Sequence, residues 1–262
     1  MFLVSKNKSK NLDVIRTRNS REVSTIFDKR ELLFDKTIEK NFDWRDENII
    51  SDVRNQGKCG ACWAHSIVYT VESMLAMKIG KIEELSIQQL VDCSTESGCE
   101  GGDTCSTLAW MALKNVSLQT LKDYPSLDHA EKCHSDETKP GVRIKQNFTC
   151  DSFVNREQNM VKMIAKHGPL VAAVDASTWQ HYLGGTIQYH CYNDLNHAVQ
   201  ITGYNLKSEV PYFKVRNTWD VQFGINGYIH IAIGKNLCGI AEEVSAIEIQ
   251  NYSNSFESPN SD

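Results

Sequence analysis

The hydrophobic pattern changes character near Cys150, and that change constrains the fold of this 262-residue chain more than any other feature. Before it, apolar residues fall at helical spacing. Val68, Val71, Met74 and Leu75, with Ile82 beyond, form an approximate stripe, Glu72 and Lys78 lie on other faces, and Gly80 is placed to end the helix. The spacing predicts a helix from Cys62 to about Gly80, a short helix over 86–91 capped by Ser86, and a third over 106–113. After it, one helix over 160–167 precedes short runs rich in branched and aromatic residues at 170–174, 197–202, 212–216 and 228–232, several bounded by glycine. The expectation is an α+β fold. A helical lobe spans about 50–150 and a β-rich, barrel-like antiparallel lobe about 151–240, with the terminal segments crossing over and a cleft between the lobes.

The flanks differ from this body. Residues 1–37 are charged with scattered apolar positions and read as a leader or linker, Phe42-Asp43-Trp44-Arg45 is the first cluster able to anchor folded structure, and residues 251–262 read as a frayed tail. Met1-Phe2-Leu3-Val4 is followed at once by Lys6, Lys8 and Lys10, so no apolar stretch of signal-peptide length is present. No transmembrane helix is readable. The charge, 28 basic against 33 acidic residues for a formal net of -5, offers no electrostatic case for a nucleic-acid partner.

The nine cysteines are spread widely and lack the short paired spacing of a zinc site, so no metal is expected. An odd count suits up to four disulfides and one free thiol in an oxidising compartment, lysosomal or extracellular, which in turn implies that the sequence is truncated at its front. Asn115-Val116-Ser117, Asn147-Phe148-Thr149 and Asn251-Tyr252-Ser253 are glycosylation acceptors in such a compartment.

Gln56 stands six residues before Cys62, which opens the predicted long helix. Unpaired amides at a helix start, together with the dipole, favour a thiolate there, and Trp63 on the first turn would fix where the sulfur points. Thiol catalysis also needs a base, a group that orients the base, and donors for an oxyanion. His197, at the front of a strand-like run, offers the base; Asn217, directly after another, offers the orienter. Gln56 and the Cys62 amide offer the donors.

In these residues the chain resembles the papain-like cysteine peptidases, in which glutamine, cysteine, histidine and asparagine follow in this order. The resemblance runs from about Phe42 to Ile249 and takes in Asp92-Cys93-Ser94, Gly98-Cys99-Glu100-Gly101-Gly102, Gly184-Gly185 and Cys238-Gly239-Ile240-Ala241. It implies a cysteine endopeptidase without cofactor, acting as a monomer on peptide or protein substrates, blocked by cystatin-like inhibitors and by its own prosegment. Residues 1–37 would be the end of that prosegment, cleaved near Thr37 to Asn41, and 38–250 the peptidase domain. It also implies the disulfides Cys59–Cys99, Cys93–Cys133 and Cys191–Cys238; Cys105 and Cys150, outside the common three, are then assigned to each other. Gly101 and Gly102 would bind extended peptide backbone, with Asp103, Thr104, Ala173, Leu195 and Glu243 around the main specificity pocket. Asp103 and Glu243 are acidic where many relatives are neutral, which implies tolerance for a basic side chain. No long histidine-bearing insertion of the carboxydipeptidase kind lies between Cys99 and Cys133.

The chain departs from the family at three places. His65 replaces a phenylalanine, read mainly as packing; Asp220 replaces a glycine after Trp219, the residue expected to shield the His197–Asn217 bond; and Phe223 replaces a tryptophan. Distortion at Asp220 reaching Asn217 would weaken activity, leaving a peptide- or inhibitor-binding protein as the alternative function. A transglutaminase-type acyl-transfer enzyme is a further alternative. Lys214 and Arg216 are read as outward-facing charges.

Overall fold

The computed structural model describes residues 38–189, 191–192 and 194–250. The leader at 1–37, the tail at 251–262 and the acceptor Asn251 lie outside the described residues.

The first lobe is helical: α1 (Cys62–Ile79), α2 (Ile87–Cys93) and α3 (Thr104–Lys114), with a two-stranded ribbon of β2 (Leu118–Gln119) and β3 (Gly141–Val142). Gly80 ends α1 in the left-handed conformation and Ser86 caps α2 by accepting from the Gln89 amide, as the sequence pattern predicts. The third helix begins two residues earlier than expected because the Asp103 carboxylate caps it, accepting from the Ser106 amide. In the second lobe α4 (Glu157–Lys166) precedes the sheet strands β4 (Leu170–Val174), β5 (Thr186–Ile187), β6 (His197–Asn205), β7 (Tyr212–Arg216), β8 (Tyr228–Ala232) and β9 (Val244–Ser245). Their order is β5-β8-β7-β6-β4-β9, antiparallel apart from β5 beside β8, and β1 (Asn41–Asp43) adds to β6. The front of the chain is thereby carried into the second lobe, and Gly203 is needed there, since a Cβ on it would lie 2.3 Å from the Phe42 carbonyl oxygen.

Each lobe has its own core, one around α1, α2 and α3 and one around α4 and the sheet. Helix α1 is shared: 14 of its 18 residues are buried, and Val171 and Ala198 from the sheet pack into the core it dominates. The expected stripe is therefore only part of the truth, because the helix is enclosed on nearly every face.

That enclosure forces a polar network onto its hidden side. Glu72 accepts from Ser51 Oγ (2.6 Å), Arg54 Nη2 (2.5 Å) and the Leu85 amide (2.8 Å). Arg216, expected to face outward, is instead fully buried; its guanidinium donates to Gln200 Oε1, Ser51 Oγ and the Asp52 carbonyl. Lys214 is also turned inward, 3.2 Å from the buried Asp43 carboxylate. Strand alternation alone cannot say which face of β7 is covered, and here Asp43 and the 51–52 segment meet the face that carries both charges.

The disulfides join Cys59 with Cys99, Cys93 with Cys133, Cys105 with Cys150 and Cys191 with Cys238, leaving Cys62 free. Removing one partner of a buried ion pair costs about 3–5 kcal/mol, so Glu72→Gln is expected to lower the free energy of unfolding by that order in urea denaturation. A loss below about 1 kcal/mol would show that the network contributes little.

Candidate active site

Cys62 is the first residue of α1, whose N-cap Ala61 supplies no side-chain acceptor and whose first turn carries no acid. The first-turn amides are thus left for other work, and those of Cys62 and Trp63, with that of Ala198 from β6, bear on the Cys62 sulfur. Trp63 is completely buried and donates from Nε1 to the Gly98 carbonyl at 3.2 Å. A Cβ at Gly102 would come within 2.6 Å of the Trp63 ring, so that glycine is required by the packing of the indole.

His197 opens β6 beside this helix, and Asn217 follows the last residue of β7. His197 Nε2 donates to Asn217 Oδ1 at 2.7 Å. The Nε2 proton is committed to that bond, so Nδ1 keeps its lone pair; it is buried and without a hydrogen-bond partner. Trp219 lies tilted against the imidazole with centroids 5.1 Å apart, and Trp179 meets it edge-on at 5.9 Å. Sequence reasoning singled out Trp219 but not Trp179 as a wall of this site. Nothing local in 176–185 marks its role, which arises from the turn that follows β4.

Gln56 is held against the same loop. Its amide donates to the Thr218 carbonyl at 2.9 Å, its Oε1 accepts from Thr218 Oγ1, and its Nε2 donates to the Cys59 carbonyl at 2.9 Å. One Nε2 hydrogen remains for another acceptor.

Burial dominates the electrostatics. It pushes the Cys62 thiol up to about 11 against the pull of the three amides, and lowers the His197 imidazole to about 4 against the support of Asn217. With Cys62 only 3% and His197 1% exposed, neither charge is sustained alone.

The departures take definite forms. Asp220 adopts φ 70°, the left-handed conformation anticipated for a glycine position. The distortion does not reach the asparagine, because the Asn217 amide is tied to the Gly227 carbonyl at 3.0 Å and its side chain keeps the 2.7 Å bond to His197. Phe223 packs edge-on against Trp219 at 5.1 Å. His65 is buried beside Tyr69, and burial first, then the charges of Arg54, Arg216 and His197, lower its imidazole to about 3.

Of the residues expected around the specificity pocket, three come together: the Ala173 amide donates to the Glu243 carbonyl (3.0 Å) and Thr104 Oγ1 donates to Glu243 Oε1 (3.2 Å). Leu195 lies close to Gly239, while Asp103 is occupied in capping α3 and receives no bond from this group. Asn115 and Asn147 are exposed.

This arrangement of fold and side chains is that of the thiol peptidases. The sequence matches the papain family of cysteine proteases over residues 38–248, and the chain belongs to that family. It is similar to cathepsin O from Homo sapiens, 44% identical over 209 residues that cover 79% of this chain and 65% of that protein. Cathepsin O from Mus musculus is 42% identical, covering 79% and 67%. The chain spans about 65% of the length of the human relative. Among solved structures, digestive procathepsin L2 from Tenebrio molitor larval midgut superposes with a TM-score of 0.75 at 32% identity, covering 80% of this chain and 68% of that one. Bromelain from Ananas comosus, in complex with the E64 inhibitor, superposes at 0.74 with 32% identity, covering 81% and 100%.

Two buried, neutral imidazoles predict the response to acid. Because His197 and His65 titrate near 4 and 3 in the folded chain against 6.5 ordinarily, the unfolded chain binds more protons below pH 6.5. Their stabilisation is complete above 6.5 and is lost as the pH falls toward 4 and then 3, by a few kcal/mol for each group at about 1.4 kcal/mol per unit. Urea unfolding of the parent and of His65→Phe between pH 7 and 4 should show a smaller loss in the variant. Equal losses would exclude His65 as a contributor.

Proposed function

We propose that this chain is a cysteine-type endopeptidase working through a Cys62–His197 pair and an acyl-enzyme thioester. The single observation that carries the reading is the Asn217 bond to His197 Nε2, which leaves a buried Nδ1 lone pair for the proton of the one cysteine outside a disulfide. Proton transfer to Nδ1 gives the thiolate, which attacks the scissile carbonyl. The remaining Gln56 Nε2 hydrogen and the Cys62 amide hold the oxyanion, and the imidazolium protonates the departing amine. Water, deprotonated by His197, then releases the acid and regenerates the thiol. Trp219 and Trp179 keep the histidine–asparagine bond dry, where it orients the ring most firmly.

Peptide or protein chains are the substrates, with cystatin-like inhibitors and the enzyme's own prosegment as partners of the same cleft. Residues 1–37 are read as the end of that prosegment and 38–250 as the working monomeric domain. Four disulfides favour an oxidising compartment, lysosomal or extracellular, with Asn115 and Asn147 open to glycosylation. No helix among the described residues is long and apolar enough to cross a membrane.

A thiol-directed peptidyl epoxide should label the processed protein once per chain, and Cys62→Ala should abolish both labelling and peptide cleavage. Gln56→Ala should lower kcat by about 10²-fold, the usual cost of losing one oxyanion donor. Labelling that persists in Cys62→Ala, or a parent protein that neither labels nor cleaves, would favour a binding role. At the specificity pocket, Glu243 beside Thr104 and Ala173 favours a basic residue second before the cut, Asp103 being spent on its helix. Fluorogenic peptides with Arg there should exceed those with Leu in kcat/KM, and Glu243→Ala should reverse the order; a clear Leu preference in the parent would refute this.

A further inference from the structure

We propose that Tyr69, together with His65 one turn before it, is a positioning joint that sets the Cys62 helix, the Gln56 segment and the Asn217 strand end relative to one another. The proposal rests on the peptidase reading for its consequence in turnover, but its geometry stands on its own. Tyr69 is fully buried two turns along α1 from the thiol. Its hydroxyl accepts from the amide of Arg54, two residues before Gln56, at 2.8 Å. Having accepted there, the hydroxyl can turn its own proton to His65 Nδ1, 3.4 Å away. The ring takes the guanidinium of Arg216, the residue directly before Asn217, with Cζ 3.4 Å from its centroid.

Arg216 finds only neutral oxygens among its hydrogen bonds, those of Gln200, Ser51 and Asp52. The aromatic face adds a direct contact to that buried charge, beside the Glu72 carboxylate that lies one hydroxyl away through Ser51. Arg54 lies farther from the same ring, at 5.4 Å, and pairs with Glu72. One side chain thus touches the neighbours of the oxyanion donor and of the histidine's orienter while riding on the helix that carries the sulfur. A phenylalanine at 65, the family's usual residue, would offer this hydroxyl no acceptor, so the histidine and the tyrosine belong together.

The test compares Tyr69→Phe, His65→Phe, His65→Gln and the double Tyr69→Phe/His65→Phe in the processed protein. It measures kcat and KM separately, and also the alkylation rate of Cys62 by iodoacetamide at pH 7, Cys62 being the sole unbridged cysteine. Tyr69→Phe is expected to lower kcat and the alkylation rate about tenfold with KM within about twofold, the split of an interaction that acts on the reacting geometry. His65→Phe should lose part of this and His65→Gln, which restores an acceptor, should regain it. The double variant should be no worse than Tyr69→Phe alone. Leu75→Ala, a core change in the same helix, should lower Tm without altering the alkylation rate of the folded protein. The proposal is overturned if Tyr69→Phe lowers Tm but leaves alkylation unchanged, or if the two single losses simply add. A parent protein that alkylates at Cys62 yet cleaves no peptide would refute the peptidase reading, while the alkylation series would still decide the role of Tyr69.

Discussion

The enclosure of α1 between the two lobes is the constraint from which the rest follows. A helix with 14 of 18 residues buried cannot present a polar face to water, so each polar group on it must be satisfied internally. Ser66, Thr70 and Ser73 do so by returning their hydroxyls to carbonyls of the preceding turn. Glu72 and Tyr69 do so by reaching across to the 51–56 segment and β7. The same enclosure fixes the first turn rigidly, with Trp63 locked under Gly102, and hence fixes the sulfur.

The histidine side of the site is held by different means. Strand β6 brings His197 to the helix, and the 55–56 segment bridges to 218–219, so Gln56 and Asn217 are held by one set of ties between two segments. Tolerance of Asp220 follows from this redundancy: the loop is tied at the Asn217 amide and at Thr218, and a left-handed residue just beyond those ties bends locally without displacing them. Dryness has a cost, since burial holds both thiol and imidazole neutral.

Much of this was legible in the sequence, and unevenly so. Helix limits set by Gly80 and Ser86, and strands at 170–174, 212–216 and 228–232, were readable because local signals act where the chain itself decides. Gln56, Cys62, His197 and Asn217 were singled out together because thiol chemistry demands those groups in company, and the structure joins His197 to Asn217. Arg216 was not, since a charged residue in a strand carries no mark of which face the rest of the molecule will cover. Trp179 and the hub at Tyr69 were missed for the same reason: their roles are defined by partners more than a hundred residues away or on another element. Asp103 was read for its charge, but its position as a helix cap was the stronger local signal.

Strand β6 bears His197 at one end, while Asn205 at the other is paired with Asn41. Eight steps of extended chain separate them, about 27 Å at ~3.4 Å each. The doorway through which the polypeptide enters the body therefore stands far from His197, and the rungs formed by 41–43 belong to the body itself. Residues 39 and 40, just ahead of that doorway, tie to the same far end through the Tyr204 hydroxyl and the Leu206 amide, so every bond of the entering segment is made away from the imidazole.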